Sequence, residues 1–361
     1  MQETRITEPG PLHREDGRLA MPGWATSQLL AYSRSRIKAS KWRIKEWDYY
    51  LINDDEYAVA LTLSDLGYVG LISASVIDFA QAAYHTSSVI TPLPLGRFGL
   101  PSSSDAGVSE FSNGRVSFRF ESKDGTRRIR ARFDRFDGDD DLVVDAVLDE
   151  APRDTMVIAT PWAEDPLAFY YNQKIVAMRA QGSFKKGLLV HGFRPDDSFG
   201  LLDWGRGVWT RDNTWFWAVA QGWQDGEGHA VPGAHRFGLN LGYGFGDTSA
   251  ASENMVFVDG VAHKLARVDF GIPEKAGAAE AVLTVDRYDL LAPWHVTDNE
   301  GRLDLVFTPL VDRVDYMDYK LISSDQHQVF GTFDGVVRLD DGSEFQVADL
   351  KGSAEVIHNK Y

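Results

Sequence analysis

Short stretches that alternate apolar and polar residues, each closed by an Asx-Gly dipeptide, recur along the chain and limit its fold more than any other feature. Both residues of such a dipeptide tolerate the positive φ angles of a two-residue hairpin turn. Residues 116–120 and 128–133 show the alternation most clearly. The pattern predicts consecutive antiparallel hairpins with one apolar face. The dipeptides are Asn113-Gly114, Asp124-Gly125, Asp137-Gly138, Asp225-Gly226, Asp259-Gly260, Asp334-Gly335 and Asp341-Gly342.

Segments 42–52, 57–63 and 68–79 are rich in β-branched and aromatic residues and also predict strands. Helix signals are confined to residues 24–40 and 352–361, and each segment predicts one short helix. A strand-rich chain with regular turns and few helices is typical of a β-sandwich or β-barrel. The predicted fold class is therefore all-β with few short helices.

The length of the chain predicts two cores. It has 361 residues, which exceeds the ~250–300 residues at which a single hydrophobic core stops growing. Segment 150–166 carries three prolines among mixed charges and is interpreted as a connection. We therefore expect an N-terminal half over residues 1–170 and a C-terminal half over residues 171–361.

Composition excludes several classes of function. The chain has no cysteine, which removes disulfides and thiolate chemistry, and its histidines lack the paired spacing of a metal site. A net charge of −16 opposes nucleic-acid binding, and we interpret the arginine row at 128–132 as a solvated hairpin face.

No nucleotide-binding glycine motif is present, so no cofactor is expected. Neither a signal peptide nor a membrane span is evident, and a cytoplasmic protein is expected.

Segment 201–223 holds five of the ten tryptophans. Read as a strand from residue 213, one face carries Asn213, Trp215, Trp217 and Gln221. Segment 236–246 places glycines at every second position of one face, together with Asn240. A glycine row leaves room for large rings on a neighbouring strand, so the two faces are expected to fit together.

Three amide side chains, of Asn213, Gln221 and Asn240, then point into an aromatic-lined space. That composition is typical of a small-molecule pocket with a few orienting polar groups. The alternative is that the tryptophans fill a barrel core and bond nearby amides with their N–H groups.

Asp203 is the predicted catalytic acid, with Arg206 as its electrostatic partner. Glycines at 205 and 207 fit a bend that aims both side chains into a cavity mouth. A carboxylate beside an aromatic wall, here formed by Trp204, Trp215 and Trp217, can act as a general acid, and Trp209 is a further binding candidate. The alternative is a structural ion pair of Asp203 with Arg206 or Arg211.

Three further residues are candidates. Glu253 and Asn254 place a carboxylate and an amide at a strand start, where Glu253 is a second catalytic candidate and Asn254 a binding candidate; turn capping is the alternative. His191, at the end of an apolar strand, can reach a cavity or serve as a structural histidine.

Blocks of sequence resemble the domain-of-unknown-function family 2804 over about residues 16–361. They include DGRLAMPGW, WRIKEWDYY, DWGRGVW, GLNLGYGFGD and GSAEVIHNKY. That family is more remotely similar to a double-lipocalin superfamily with carotenoid 1,2-hydratase, AttH proteins and fungal lipocalin-like cyclases. The resemblance implies two lipocalin-like antiparallel β-barrels side by side, but it transfers no catalytic residue.

The function we predict is acid-catalysed hydration, dehydration or cyclisation of a hydrophobic small molecule in an aromatic-lined barrel cavity. Tryptophan faces suit that chemistry because they stabilise a developing cationic carbon. One alternative is a non-catalytic carrier of a lipophilic ligand. A second is a carbohydrate-active enzyme, which an open cleft with two carboxylates ~5–10 Å apart would favour.

Overall fold

The computed structural model describes residues 3–149, 151–277, 285–318 and 323–360, which form 24 strands and two single 3-10 turns, at Arg34–Arg36 and Val285–Arg287. The strands of the first part are β1 Gly10–Pro11, β2 Gly23–Ala25, β3 Leu30–Ala31, β4 Ile44–Asn53, β5 Tyr57–Asp65, β6 Val69–Asp78, β7 Ala83–Pro92, β8 Gly107–Ser112, β9 Val116–Lys123, β10 Thr126–Asp137, β11 Asp140–Asp149, β12 Met156–Pro161, β13 Phe169–Lys186, β14 Leu189–Phe193 and β15 Phe199–Val208. Those of the second part are β16 Asp212–Gln224, β17 His235–Tyr243, β18 Met255–Val258, β19 Val261–Lys264, β20 Val268–Asp269, β21 Trp294–Asp298, β22 Leu303–Asp318, β23 Ser323–Arg338 and β24 Glu344–Lys360.

The first sheet is antiparallel, in the order β7-β6-β5-β4-β15-β13-β11-β10-β9-β8, with β12, β2 and β14 attached through β13. It curls back on itself, and His85 of the edge strand β7 lies 2.7 Å from the carbonyl oxygen of Phe136 in β10. We call this sheet the first half-barrel. Its concave face holds one core, which includes Ile52, Phe133 and Trp204.

The second sheet, in the order β19-β18-β17-β16-β24-β23-β22-β21-β20, is also antiparallel and forms the second half-barrel. Its core includes Ala218, Leu239 and Trp294. A third cluster, which includes Tyr49 and Trp217, joins the outer faces of both sheets. The all-β prediction with two lipocalin-like barrels and few short helices is confirmed.

The predicted hairpin turns are mostly present. Asp124 and Gly125 have φ angles of 52° and 78°, as the turn between β9 and β10 requires. Asp334-Gly335 is an exception, because it lies within β23, where the register shifts and a Cβ at Gly335 would meet the Asp304 carbonyl oxygen at 2.2 Å. It marks a bulge rather than a turn.

The predicted helix at 352–361 is wrong over its described residues. These belong to β24, which pairs with β16 on one side and β23 on the other. Cross-strand partners on both sides outweigh a local helix signal.

The arginine row is solvated as predicted: Arg128 bonds Asp145, and Arg132 bonds Asp134 and Asp141, at the surface.

The chain passes from one sheet to the other between Val208 and Asp212. The sequence predicts that the two halves of the chain meet at residue 170, about 40 residues earlier. The division into residues 1–170 and 171–361 stays a prediction. Among the described residues, no helix is long and apolar enough to cross a membrane.

Candidate functional site

The outer faces of the two half-barrels enclose a group of polar side chains, which we call the inter-sheet cluster. Alternation along β13 and β15 turns Lys174 and Asp203 to the same face, and the two residues are register partners. On the other half, β16, β17 and β24 present their outward faces to them. The members of the cluster are Asn172, Lys174, Asp203, Asn240, Glu253, Gln328 and Glu355.

Lys174 and Asp203 form the ion pair of the cluster. The distance from Lys174 Nζ to Asp203 Oδ2 is 2.6 Å, and their side chains are 4% and 10% exposed. Asn172 Nδ2 donates to Asp203 Oδ1 at 2.7 Å. Lys174 Nζ also lies 3.9 Å from the ring centroid of Trp217 in the opposite half-barrel, a cation–π contact. The pair therefore ties the two sheets together.

Glu253 is held by an amide from the glycine-rich strand. Trp217 Nε1 donates to Asn240 Oδ1 at 2.7 Å, and Asn240 Nδ2 donates to Glu253 Oε2 at 3.2 Å. A Cβ atom at Gly242 would lie 2.5 Å from Glu253 Oε1. The glycine row thus makes room for a carboxylate as well as for rings.

Glu355 lies on β24 and is buried. Gln328 Nε2 donates to Glu355 Oε1 at 2.5 Å and to the Tyr49 hydroxyl oxygen at 3.3 Å. Arg313 Nε donates to Gln328 Oε1 at 3.0 Å, which orients the amide. Glu355 therefore sits in a network that reaches both half-barrels.

Burial governs the protonation of the two glutamates. It raises the pKa of Glu355 to about 7; the Asp203 charge adds to this rise, while Arg313 and Lys174 oppose it. Burial also raises the pKa of Glu253, against the nearby Lys174. A raised pKa means that a carboxyl keeps its proton closer to neutral pH. The cluster therefore combines a charged pair with carboxyls that can carry a proton.

Aromatic rings border the cluster on the side of β4 and β13. Tyr170 stacks on Trp47 with centroids 6.1 Å apart, and Phe245 lies within 5.2 Å of both Tyr170 and Trp209. Trp215 lies 5.1 Å from Phe245. We call these five residues the aromatic wall. Its apolar faces and the polar cluster share one region between the sheets.

Three side chains of this region keep a small exposed fraction. Asp203 retains 7% exposure, while Tyr49 and Glu355 each retain 8%. Such residual exposure means that water touches these side chains where the two sheets meet, and we call this region the crevice. Two cavities, of about 10 and 50 Å³, lie elsewhere.

Several predicted residues meet in this region, although not inside a barrel. Asp203, Glu253, Trp217 and Asn240 belong to the network, and the aromatic wall includes Trp209 and Trp215. The expectation of a barrel lumen is wrong for these residues, because the alternate face of β16, with Ala218 and Ala220, fills the core of the second half-barrel. The tryptophan face and the glycine face lie on the same side, as predicted.

Arg206 does not pair with Asp203. It lies three positions along a regular strand, so its side chain points to the opposite face, into the first half-barrel. There its guanidinium bonds Asp48 Oδ1 at 3.1 Å and lies 4.1 Å from the ring centroid of Trp204. The predicted partnership with Arg206 is therefore wrong, and the partner of Asp203 is Lys174.

The other predicted residues make structural contacts. His191 Nε2 lies 2.6 Å from Asp54 Oδ2, away from the cluster. Asn213 bonds the local Thr210. Gln221 accepts from the Ala177 N–H at 2.8 Å and donates to Asn53, so it joins the two halves. Asn254 accepts from the Gly242 N–H at 2.7 Å and donates to the Ala266 carbonyl oxygen, as a strand-start residue would.

Sequence reasoning missed Lys174 and Glu355. Each is the single charged residue of an otherwise uncharged strand segment, at NQKIVAM and SAEVI, and that isolation is the available signal. Glu355 also lies within segment 352–361, for which the sequence predicts a helix.

The chain belongs to the domain-of-unknown-function family DUF2804, which matches residues 3–361. No protein with a curated description matches it in sequence. The structure of CghA is 12% identical, covers 98% of this chain and 97% of its own, and has a TM-score of 0.54. This likeness shows the fold.

Two further solved structures are similar. A protein from Nitrosomonas europaea, provisionally named AttH, is 12% identical over 92% of this chain and 96% of its own, with a TM-score of 0.49. Kievitone hydratase from Nectria haematococca is 11% identical over 88% of each chain, with a TM-score of 0.47. The predicted family is confirmed.

Proposed function

We propose that this DUF2804 protein is an enzyme that hydrates, dehydrates or cyclises a hydrophobic small molecule by acid catalysis, without a cofactor, in the crevice between its half-barrels. The observation that carries the proposal is Glu355, a buried carboxyl of the inter-sheet cluster with a pKa raised to about 7, beside Trp215 of the aromatic wall. A general acid works best when its pKa is near the operating pH.

Glu355 replaces Asp203 as the proton donor in this proposal. Asp203 is ion-paired with Lys174 at 2.6 Å and accepts a hydrogen bond from Asn172, so its role is to hold charge and position rather than to donate a proton. Glu253, whose pKa is also raised by burial, is the second proton carrier.

The steps of a hydration balance as follows. The Glu355 carboxyl gives its proton to one carbon of a substrate double bond, and the other carbon becomes cationic. The electron-rich faces of Trp215 and Tyr170 stabilise that cation. A water oxygen then bonds to it, and the surplus proton of the water returns to a carboxylate of the cluster. Dehydration is the reverse. In a cyclisation a second double bond of the substrate bonds to the cationic carbon instead of water, and the new cation then loses a proton to a carboxylate of the cluster and forms a double bond.

The substrate class follows from the wall. Trp47, Trp209 and Phe245 offer apolar faces, and the polar groups are few and grouped on one side. That division suits a largely hydrocarbon molecule, isoprenoid or polyketide-like, with one unsaturated or hydroxylated reacting end.

The test is a panel of unsaturated and hydroxylated isoprenoid and polyketide-like compounds in ¹⁸O-labelled water, followed by mass spectrometry. We expect a product that gains labelled water, loses water or is isomeric with the substrate. Glu355→Gln should lower that turnover by ~10²-fold or more. Glu344→Gln is the matched control, since Glu344 lies on the same strand but bonds Arg338 at the surface.

The outcomes discriminate the alternatives. If compounds quench tryptophan fluorescence but stay chemically unchanged, the proposal that the protein is an enzyme is overturned, and the result supports a carrier of a lipophilic ligand. Turnover that survives in Glu355→Gln would show that another group is the acid. A panel without any bound or converted compound would contradict a hydrophobic ligand.

A further inference from the structure

The loop between β17 and β18, residues 244–254, contributes to both parts of the crevice. Near its start, the ring of Phe245 packs against Trp162 and Tyr170 of the first half-barrel, each with its centroid 4.9 Å away. Near its end, Glu253 Oε2 accepts from Asn240 Nδ2 in the inter-sheet cluster. A single loop of the second half-barrel therefore supplies one ring of the aromatic wall and one carboxyl of the cluster.

Two glycines flank Phe245 in this loop. Gly244 and Gly246 have φ angles of 87° and 74°, in the left-handed region that residues with a Cβ disfavour. A backbone bond of 2.8 Å from the Asp247 N–H to the Pro161 carbonyl oxygen seats the loop on the first half-barrel. Lids hinge at a few loop positions that absorb large changes in φ and ψ. The two glycines are such positions.

A second segment fastens the far end of the loop. Residues 3–6, which we call the strap, run beside β2: the Trp24 N–H donates to the Thr4 carbonyl oxygen at 2.9 Å, and the Ile6 N–H donates to the Trp24 carbonyl oxygen at 2.7 Å. Because β2 pairs with β12, the strap is attached to the first sheet. The Thr4 N–H also donates to the Ala250 carbonyl oxygen at 2.7 Å. The strap thus ties the loop to the first half-barrel.

Glu3 makes the charged contacts of the strap. Its Oε1 accepts from the N–H and the hydroxyl of Ser252 at 3.1 and 2.6 Å. Its Oε2 lies 2.7 Å from Lys264 Nζ, and the two side chains are 18% and 16% exposed. Hydrogen bonds to an ionised group are stronger than neutral ones. Glu3 therefore holds the end of the loop that carries Glu253, since Ser252 immediately precedes it.

A ligand needs an opening to reach the crevice, because its polar side chains are nearly covered where the sheets meet, as the 7% exposure of Asp203 shows. We propose that loop 244–254 is the lid of the crevice, that it swings about Gly244 and Gly246, and that Glu3 is the latch that keeps it closed. This inference rests on the proposed function in one respect, namely that the substrate binds in the crevice. Opening withdraws Phe245 from the wall, and closure on a bound molecule rebuilds the site and shields it from bulk water.

Hydrogen exchange of indole N–H groups, followed by nuclear magnetic resonance in D₂O, tests the lid without a ligand. The Trp217 Nε1–H donates to Asn240, which in turn bonds Glu253 of the lid, so it should exchange when the lid opens. Glu3→Gln should speed this exchange by ~10-fold or more, the order expected when a charged hydrogen bond that limits local opening is lost.

Two controls accompany this variant. The Trp294 Nε1–H donates to the Leu290 carbonyl oxygen in the core of the second half-barrel, so its exchange should be the same in Glu3→Gln and the wild type. Glu8→Gln is the matched variant, because Glu8 is exposed and lies five residues further along the same segment. It should leave the Trp217 rate unchanged.

A disulfide across the strap tests the lid without the loss of a charge. The chain has no cysteine, so Thr4→Cys/Ala250→Cys introduces a single possible bridge, between residues whose peptide groups are already bonded. Oxidation should slow the Trp217 exchange below the wild-type rate, and a reductant should restore it. Equal Trp217 rates in the two redox forms, or an unchanged rate in Glu3→Gln, would overturn the proposal.

The compound panel separates the lid from the proposed function. Turnover that stops when the cysteine pair is oxidised and returns with a reductant supports the lid. Turnover that is equal in both forms overturns it. If neither form nor the wild type converts any compound, the result contradicts the proposed function, and the indole exchange alone decides whether the lid exists.

Discussion

Lys174 and Asp203 are register partners on adjacent strands, and their charged atoms lie 2.6 Å apart in a region that both half-barrels cover. The contact is local within the first sheet, yet the ammonium also touches Trp217 of the second sheet. Removal of one charge would leave the other buried between the sheets.

Asp203→Asn is therefore expected to destabilise the protein by ~3–5 kcal/mol, as when one partner of a buried pair is removed. The amide keeps the shape and the bond from Asn172 can adapt, so the loss comes from the uncompensated Lys174. Urea unfolding of the variant beside the wild type measures it.

The double variant Asp203→Asn/Lys174→Met is the control for this prediction. It removes both charges and should recover most of the loss. Glu344→Gln, which breaks an exposed pair, should change stability by less than ~1 kcal/mol. A single variant as stable as the wild type would show that the pair contributes nothing.

Much of the fold follows from local pattern. Alternation and Asx-Gly turns are properties of a few adjacent residues, and the structure reproduces them from β9 to β11. The shared face of Trp217 and Gly242 was also predictable, because side chains alternate between the two faces of a strand and this alternation places both residues on the same side of the sheet. Alternation does not show whether that side faces the inside of a barrel or a second sheet, because both environments are apolar.

The glycines of β15 show where local reasoning fails. They predicted a bend that would bring Asp203 and Arg206 together, but the strand is regular from residue 199 to 208. Gly205 instead accommodates a ring: a Cβ there would lie 1.9 Å from Trp47. Glu355 joins Asp203 only through the docking of two sheets, a long-range event that no short segment encodes.

The solvated arginine face predicts weak interaction with polyanions. With a net charge of −16 and with Arg128 and Arg132 already bonded to aspartates, the protein should not be retained on heparin at physiological salt. Cation exchange on a sulfonate resin is the control for non-specific charge effects. Retention on heparin alone at that salt would contradict the prediction.

Two glycine-to-alanine variants test whether the glycines make space for a neighbouring ring, at Gly205, or for a neighbouring carboxylate, at Gly242. Gly205→Ala should cost ~1–3 kcal/mol because the added methyl meets the rigid, packed Trp47. Gly242→Ala should cost less than ~1 kcal/mol, since the flexible end of Glu253 can move away, but it should impair any turnover in the crevice. Thermal melts compare the two variants. A larger loss for Gly242→Ala would mean that Glu253 has nowhere to move.

Glu355→Gln tests the buried carboxyl without a substrate. Burial raises the pKa of Glu355 from 4.5 to about 7 in the folded protein, so between these pH values the folded state binds more protons than the unfolded state. Its contribution to stability is therefore complete below pH ~4.5 and is lost as pH rises through ~7. The loss in the wild type approaches roughly 3 kcal/mol, from 1.36 kcal/mol for each pH unit.

The glutamine variant cannot ionise and lacks this loss. The free energy of unfolding of Glu355→Gln relative to the wild type should therefore rise between pH 5 and pH 8, measured by urea unfolding at each pH. Glu344→Gln on the same strand should show no such trend, because its carboxylate is exposed. Parallel curves for the wild type and Glu355→Gln would mean that Glu355 ionises freely in the fold, and the proton donor proposed for the crevice would lose its physical basis.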